Sequence, residues 1–137
     1  MILGIECTAH TFGVGIVDKG KVLANVKDMY VPEKGGIIPM EGAKHHREVS
    51  ERIYNEAIEK AGIKEEEIGA IALSNAPGLS PCLIAGMHFA KEKAKKLQVD
   101  IVPVNHCITH LEIGRSVGAK DPVLLYASGA NTQIIAY

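Results

Sequence analysis

Alternation of apolar and polar residues on both sides of DKGK, in the segment FGVGIVDKGKVLANVKDMY, most narrows what this chain can become. A period of two belongs to strands, and a short turn signal between two such runs predicts a hairpin. The preceding run ILGIE is apolar until Glu6, so three strands open the chain, expected antiparallel. PEKGGIIP, with two glycines between two prolines, reads as a loop. From about Met40 the apolar positions Val49, Ile53, Ala57 and Ala61 fall four apart and stop at Gly62. That period predicts an amphipathic helix of about five turns.

A buried strand from Ile68 to Ser74 follows, then a loop holding Pro77, Gly78 and Pro81, and then the helix LIAGMHFAKEKAKKL. After these come the strand DIVPVN, a short helix carrying His106 and His110, the strand PVLLYAS and the segment GANTQIIAY. The order βββαβαβαββ predicts a mixed sheet with helices on its faces, the ribonuclease H-like arrangement of an α/β protein. Nucleases share that fold with the lobes of actin, sugar kinases and heat-shock ATPases, so it leaves function open. A chain of 137 residues, 47% hydrophobic and 23% charged, is read as one domain over 1–137.

Composition removes several classes of function. A formal net charge of -1 gives no sign of a polyanion-binding surface, so charge alone does not suggest RNA, and KEKAKKLQ reads as the solvated face of a helix. Cys7, Cys82 and Cys107 are odd in number and lack CxxC spacing, which fits a reducing compartment rather than a disulfide framework. No signal peptide is read at the start, and no apolar run approaches the roughly 18 to 20 residues that span a bilayer. A cytoplasmic location without membrane attachment is expected.

The chemistry-bearing segments each admit two readings. Four positions along a helix put His106 and His110 on one face, within reach of one divalent ion, yet HxxxH also describes two solvated or capping histidines. A metalloprotease of the HExxH kind needs a glutamate after the first histidine, and here Cys107 occupies that place as a small buried thiol. YASGANTQ is either a backbone cradle for a phosphate or carboxyl group or a plain hairpin turn. SNAPGLSP presents a helix N-terminus suited to an anion, or a loop shaped by sterics alone. GIECTAHT brings Glu6, Thr8 and His10 toward one sheet edge, where ligands bind in open α/β sheets, or forms a polar loop. His45 and His46 are expected solvated, and His88 partly buried and satisfied.

Taken in order, GIECTAHT, GGIIP with KHH, SNAPGLSPCL, PVNHCITHLEIGR and DPVLLYASGANTQIIAY resemble the archaeal and eukaryotic branch of the tRNA N6-adenosine threonylcarbamoyltransferase family. Its members are catalytic subunits of the KEOPS complex, formerly labelled O-sialoglycoprotein endopeptidases or glycoproteases. The resemblance covers essentially the whole chain. It implies the N-terminal lobe of an actin-like ATPase superfamily member, with a second ribonuclease H-like lobe absent from this chain. It also implies transfer of threonylcarbamoyl from threonylcarbamoyl-adenylate to N6 of the adenosine following the anticodon in tRNAs reading ANN codons. By the same resemblance His106, His110 and Tyr126 are metal ligands, joined by an aspartate of the second lobe, and the metal is iron(II) or zinc. Tyr126, Ala127, Ser128, Gly129 and Ala130 match the loop that holds the adenylate or nucleotide. Implied partners are tRNA, KEOPS subunits including a small kinase, and a second-lobe polypeptide if the gene is split. A non-catalytic assembly partner is the main alternative, with a metalloprotease behind it.

The chain departs from the family pattern at Cys7 (usually Gly), at NAPGL (usually QGPGL), at CLIAGMHFA (usually an arginine-threonine segment) and at SGAN (usually SGGN). Ala130 adds a methyl group where the backbone approaches a ligand, so weaker substrate binding is expected. Alone, the chain is expected to lack transfer activity and, through an uncovered apolar wall, to self-associate or seek a partner.

Overall fold

The structure is a computed structural model that describes residues 1–128 and 132–136. Three strands open it: β1 (Ile2–Glu6), β2 (Thr11–Asp18) and β3 (Lys21–Met29). Both residues of the β2–β3 turn have positive φ, Lys19 at 47° and Gly20 at 81°. That is the backbone of a two-residue hairpin whose twist matches its strands, and glycine takes the second position without steric cost. Close to this turn the hairpin register shifts between Ile16 and Val17, inserting one residue on β3.

Helix α1 (Pro39–Ala61) begins on a proline, whose missing N–H costs nothing in a first turn. It ends where the Gly62 N–H bonds the carbonyls of Ile58 and Glu59. At 23 residues it exceeds the predicted five turns by more than one. After a short 3-10 turn at Glu65–Glu67 come β4 (Ala70–Ala76), α2 (Ser80–Leu97), β5 (Asp100–Asn105), α3 (His106–Ser116), β6 (Leu124–Ala127) and β7 (Thr132–Ile135).

Five strands form one sheet in the order β3-β2-β1-β4-β5. β1, β2 and β3 pair antiparallel, whereas β1–β4 and β4–β5 pair parallel. This is the expected ribonuclease H-like mixed sheet. Among the described residues β6 and β7 form a separate two-stranded sheet, Leu124 opposite Ile135 and Ala127 opposite Thr132.

The two faces of the sheet differ. Leu3, Ile5, Phe12, Val14, Ile16, Ile71 and Leu73 alternate onto one face and are essentially inaccessible. They pack against α1 and α2, whose buried residues Ile53, Tyr54, Ala57, Phe89 and Ala90 recur at helical spacing. Phe89 stands edge-on to Phe12 at 5.6 Å and to Tyr54 at 6.0 Å. The small Gly86 lets α2 lie against β1: a Cβ there would stand 2.1 Å from Cys7 Sγ. On the opposite face Gly4, Gly13, Gly15 and Ala72 floor a groove of about 460 Å³, which Thr109 and Ile113 of α3 border.

Several side chains depart from expectation. Lys93, within the lysine-rich end of α2, is buried: its ammonium pairs with Glu51 at 2.8 Å and lies 4.4 Å from the Tyr54 ring centre. Its long stem crosses the packed interface that sequence polarity alone assigned to solvent. His46 is also buried, 5.6 Å from the Phe12 ring, and His45 bonds Asp28 at 2.9 Å, so neither is simply solvated. His88 is exposed rather than partly buried. Cys107 is buried, as expected. Among the described residues no helix is long and apolar enough to cross a membrane.

Candidate functional site

The carboxyl ends of β1, β4 and β5 lie side by side because these strands are parallel, and the chain leaves each of them in a polar turn. β5 passes directly into α3 at Asn105, whose side-chain oxygen accepts from the backbone N–H groups of Cys107 at 2.9 Å and Ile108 at 3.2 Å. This N-cap fixes the first turn of the helix, and His106 is its first residue. His110 follows one turn later on the same side. Their Nε2 atoms are 3.2 Å apart, and the two rings stand nearly perpendicular with centres 4.5 Å apart. Tyr126 on β6 closes the cluster, its ring centre 5.9 Å from that of His106 and 5.7 Å from that of His110.

Behind His106 stands Glu6, at the end of β1. Glu6 Oε2 is 3.1 Å from His106 Nδ1 and Thr8 Oγ1 is 3.3 Å from it. Thr8 in turn donates from its backbone N–H, at 2.8 Å, and from its hydroxyl to Glu6 Oε1. Burial pushes the Glu6 carboxyl upward, but the Thr8 bonds and the neighbouring His106 outweigh it, and the net displacement is below the ordinary carboxylate value. Burial, followed by the proximity of His106, lowers His110 and favours its neutral imidazole. Neutral imidazole is the form that binds metals.

These groups line a cleft of about 830 Å³ together with His10, Lys27 and Ser128. Sequence-selected residues from three regions thus share one space: Glu6, Thr8 and His10 from the first segment, the two histidines of α3, and Tyr126 with Ser128. Ala127 is exposed on β6. Gly129 and Ala130 lie outside the described residues. The SNAPGLSP loop packs on this first segment, with the Leu79 N–H bonding the Thr8 carbonyl at 2.7 Å. A Cβ on Gly78 would come within 2.5 Å of that carbonyl oxygen, so sterics account for the glycine. The pairing of Glu6 with His106, 100 residues apart, was not readable from the sequence. Asn105 was readable, since asparagine before a helix is a cap signal.

Among the described residues no three His, Cys, Asp or Glu side chains converge on one point, so the donors available for a metal are two imidazoles and a phenol. The two imidazoles fit. Nitrogens at about 2.0–2.1 Å from a common tetrahedral ion stand roughly 3.3 Å apart, close to the 3.2 Å found here. The remaining ring nitrogen of His106 is already occupied by Glu6 and Thr8, which leaves Nε2 for the cleft.

A curated protein of Thermofilum pendens named tRNA N6-adenosine threonylcarbamoyltransferase is 49% identical over 138 residues, covering 99% of this chain and 41% of that protein. One of the same name from Thermococcus gammatolerans is 51% identical over 134 residues, covering 98% and 41%. A probable bifunctional tRNA threonylcarbamoyladenosine biosynthesis protein of Thermoplasma volcanium is 46% identical, covering 100% of this chain and 26% of its own length. The chain therefore spans about two fifths or less of these relatives. In fold it is similar to YeaZ from Pseudomonas aeruginosa, with TM-score 0.68 at 13% identity over 99% of this chain and 64% of that one. Residues 21–137 match the model of the TsaD family, tRNA N6-adenosine threonylcarbamoyltransferase, and with relatives this similar across its whole length, the chain belongs to that family.

Proposed function

We propose that this chain forms the N-terminal lobe of an enzyme that transfers threonylcarbamoyl from threonylcarbamoyl-adenylate to N6 of the adenosine following the anticodon in tRNAs reading ANN codons. The observation that carries this reading is the convergence of His106, His110 and Tyr126 on one cleft at the carboxyl edge of the sheet. Those three residues would hold a divalent ion, and a mixed imidazole and phenolate set suits iron(II) or zinc. When bound, such an ion supplies Lewis-acid polarisation of the acyl carbonyl. The protein's own part is to hold two imidazoles side by side on a capped helix, and to set Tyr126 and Ser128 along the wall where the adenylate lies. A non-catalytic assembly role requires no such convergence, which favours the enzyme.

In this reading the second wall of the cleft, and a further carboxylate ligand, come from polypeptide corresponding to the remainder of the longer relatives. tRNA and KEOPS subunits, including a small kinase, are the partners. The test is transfer to tRNA from preformed threonylcarbamoyl-adenylate, measured for this chain alone and for an enzyme as long as the relatives. The longer enzyme turns over and this chain alone does not; robust turnover by the 137-residue chain as a monomer ends the two-wall reading. Ala130→Gly in the longer enzyme tightens adenylate binding by calorimetry, since it removes a methyl group from the ligand loop.

A further inference from the structure

Glu6 is not among the residues assigned to the metal or the substrate, yet both oxygens of its carboxylate are held in the cleft. Two Thr8 bonds anchor Oε1, and Oε2 faces His106 Nδ1 at 3.1 Å. An ionised carboxylate only accepts hydrogen bonds. The Thr8 hydroxyl spends its proton on Glu6, so toward His106 it too presents a lone pair. Two acceptors facing one ring nitrogen require that nitrogen to carry the proton. In the neutral ring this leaves Nε2 unprotonated, the atom 3.2 Å from His110 Nε2.

We infer that Glu6, seconded by Thr8, is a positioning residue that holds the His106 ring as the Nδ1–H tautomer and aims its Nε2 lone pair into the cleft. This rests on the metal-site reading above and adds the reason that site is preorganised. The device joins residues 100 positions apart, and it works because parallel pairing of β1, β4 and β5 aligns the two strand ends. A carboxylate behind a ligating histidine raises the basicity of the ring and fixes its orientation, and removing such a partner weakens metal affinity about 10- to 100-fold.

The tautomer is read directly by long-range proton–nitrogen NMR of 15N-histidine-labelled chain, well above the ordinary imidazole pKa of about 6.5. In the wild-type chain the His106 spectrum is that of the Nδ1–H form. Glu6→Ala converts a large share of it to the Nε2–H form. Glu6→Gln, whose amide oxygen still accepts, restores most of the Nδ1–H form, which separates positioning from loss of fold. Zinc added to the same samples perturbs the Nε2 signals of His106 and His110, with affinity about 10- to 100-fold weaker in Glu6→Ala. An Nε2–H tautomer in the wild type, or an unchanged tautomer in Glu6→Ala, overturns the inference. Tautomer control by Glu6 without any response to zinc, in this chain and in an enzyme as long as the relatives, supports the positioning and sinks the metal reading of the preceding section instead.

Discussion

Two pairs of histidines sit near the N-terminal ends of two helices and meet opposite fates. His45 and His46 are adjacent on α1, so their side chains point about 100° apart. One turns to Asp28 at the surface, and the other enters the packed face of the sheet beside Phe12. His106 and His110 are a turn apart on α3, so they stack along one side, and that side looks over the carboxyl edge of β1, β4 and β5. The first pair is divided between surface and core; the second is joined in a cleft. Spacing along the helix decides whether two rings can meet, and the place of the helix on the sheet decides what they meet.

Alanine substitution tests this contrast most strongly. In an enzyme as long as the relatives, His106→Ala or His110→Ala removes close to a full equivalent of metal and most transfer activity, a loss beyond the roughly 10- to 100-fold expected for a supporting residue. His45→Ala leaves the metal content unchanged. Elemental analysis reads both, and equal metal in the His106/His110 double variant erases the distinction between the pairs.

The packed face is sharpened by Gly86→Ala. Its new methyl group meets Cys7 Sγ, and overpacking of that kind costs about 1–3 kcal/mol. Cys7→Gly in the same chain recovers much of the loss, so denaturant titration of the two single variants and the double variant shows strong coupling. Simple additivity would mean that helix α2 shifts rather than strains. Buried, with its thiol pushed up to about 12 by desolvation and then by the Glu6 charge, Cys7 fills the space that Gly86 leaves beside β1.

A pH series probes the buried member of the first pair. Burial, then the neighbouring His45, depresses His46 below its ordinary value. The unfolded chain therefore binds a proton that the folded chain refuses, and stability falls as pH drops below about 6.5 toward the depressed folded value. One group contributes at most about 1.4 kcal/mol per pH unit. His46→Gln flattens the slope between pH values on either side of that window, while His110 remains in both proteins and cancels from the difference. An unchanged slope would place the responsible proton elsewhere. The smallest effect belongs to Asn105→Ala, which removes the cap of α3 for about 1 kcal/mol. Amide exchange confined to the first turn of α3, with the α1–α2 face unaffected, is the expected signature.

Much of the fold was legible locally. The two-residue turn at Lys19 and Gly20, the helix stop at Gly62 and the strand DIVPVN each depend on a few neighbouring residues, and the observed elements lie where those signals put them. Lys93 was misread because polarity reports a side chain's head and not the path of its stem, and His46 because a helix period was followed only through its apolar members. Of the site, the facing of His106 and His110 followed from four-residue spacing alone.

What the sequence determined by itself, then, is everything written in a period or a cap: the order of strands and helices, the hairpin, and two imidazoles on one helical face. Only the tertiary structure decided that Glu6 stands behind His106, that Tyr126 reaches both rings, and that Gly86 makes room for Cys7. The physical reason is range. Turns, caps and helical faces arise from interactions within a few residues, whereas these contacts depend on parallel strands brought into register across dozens of residues, and no local pattern carries that register.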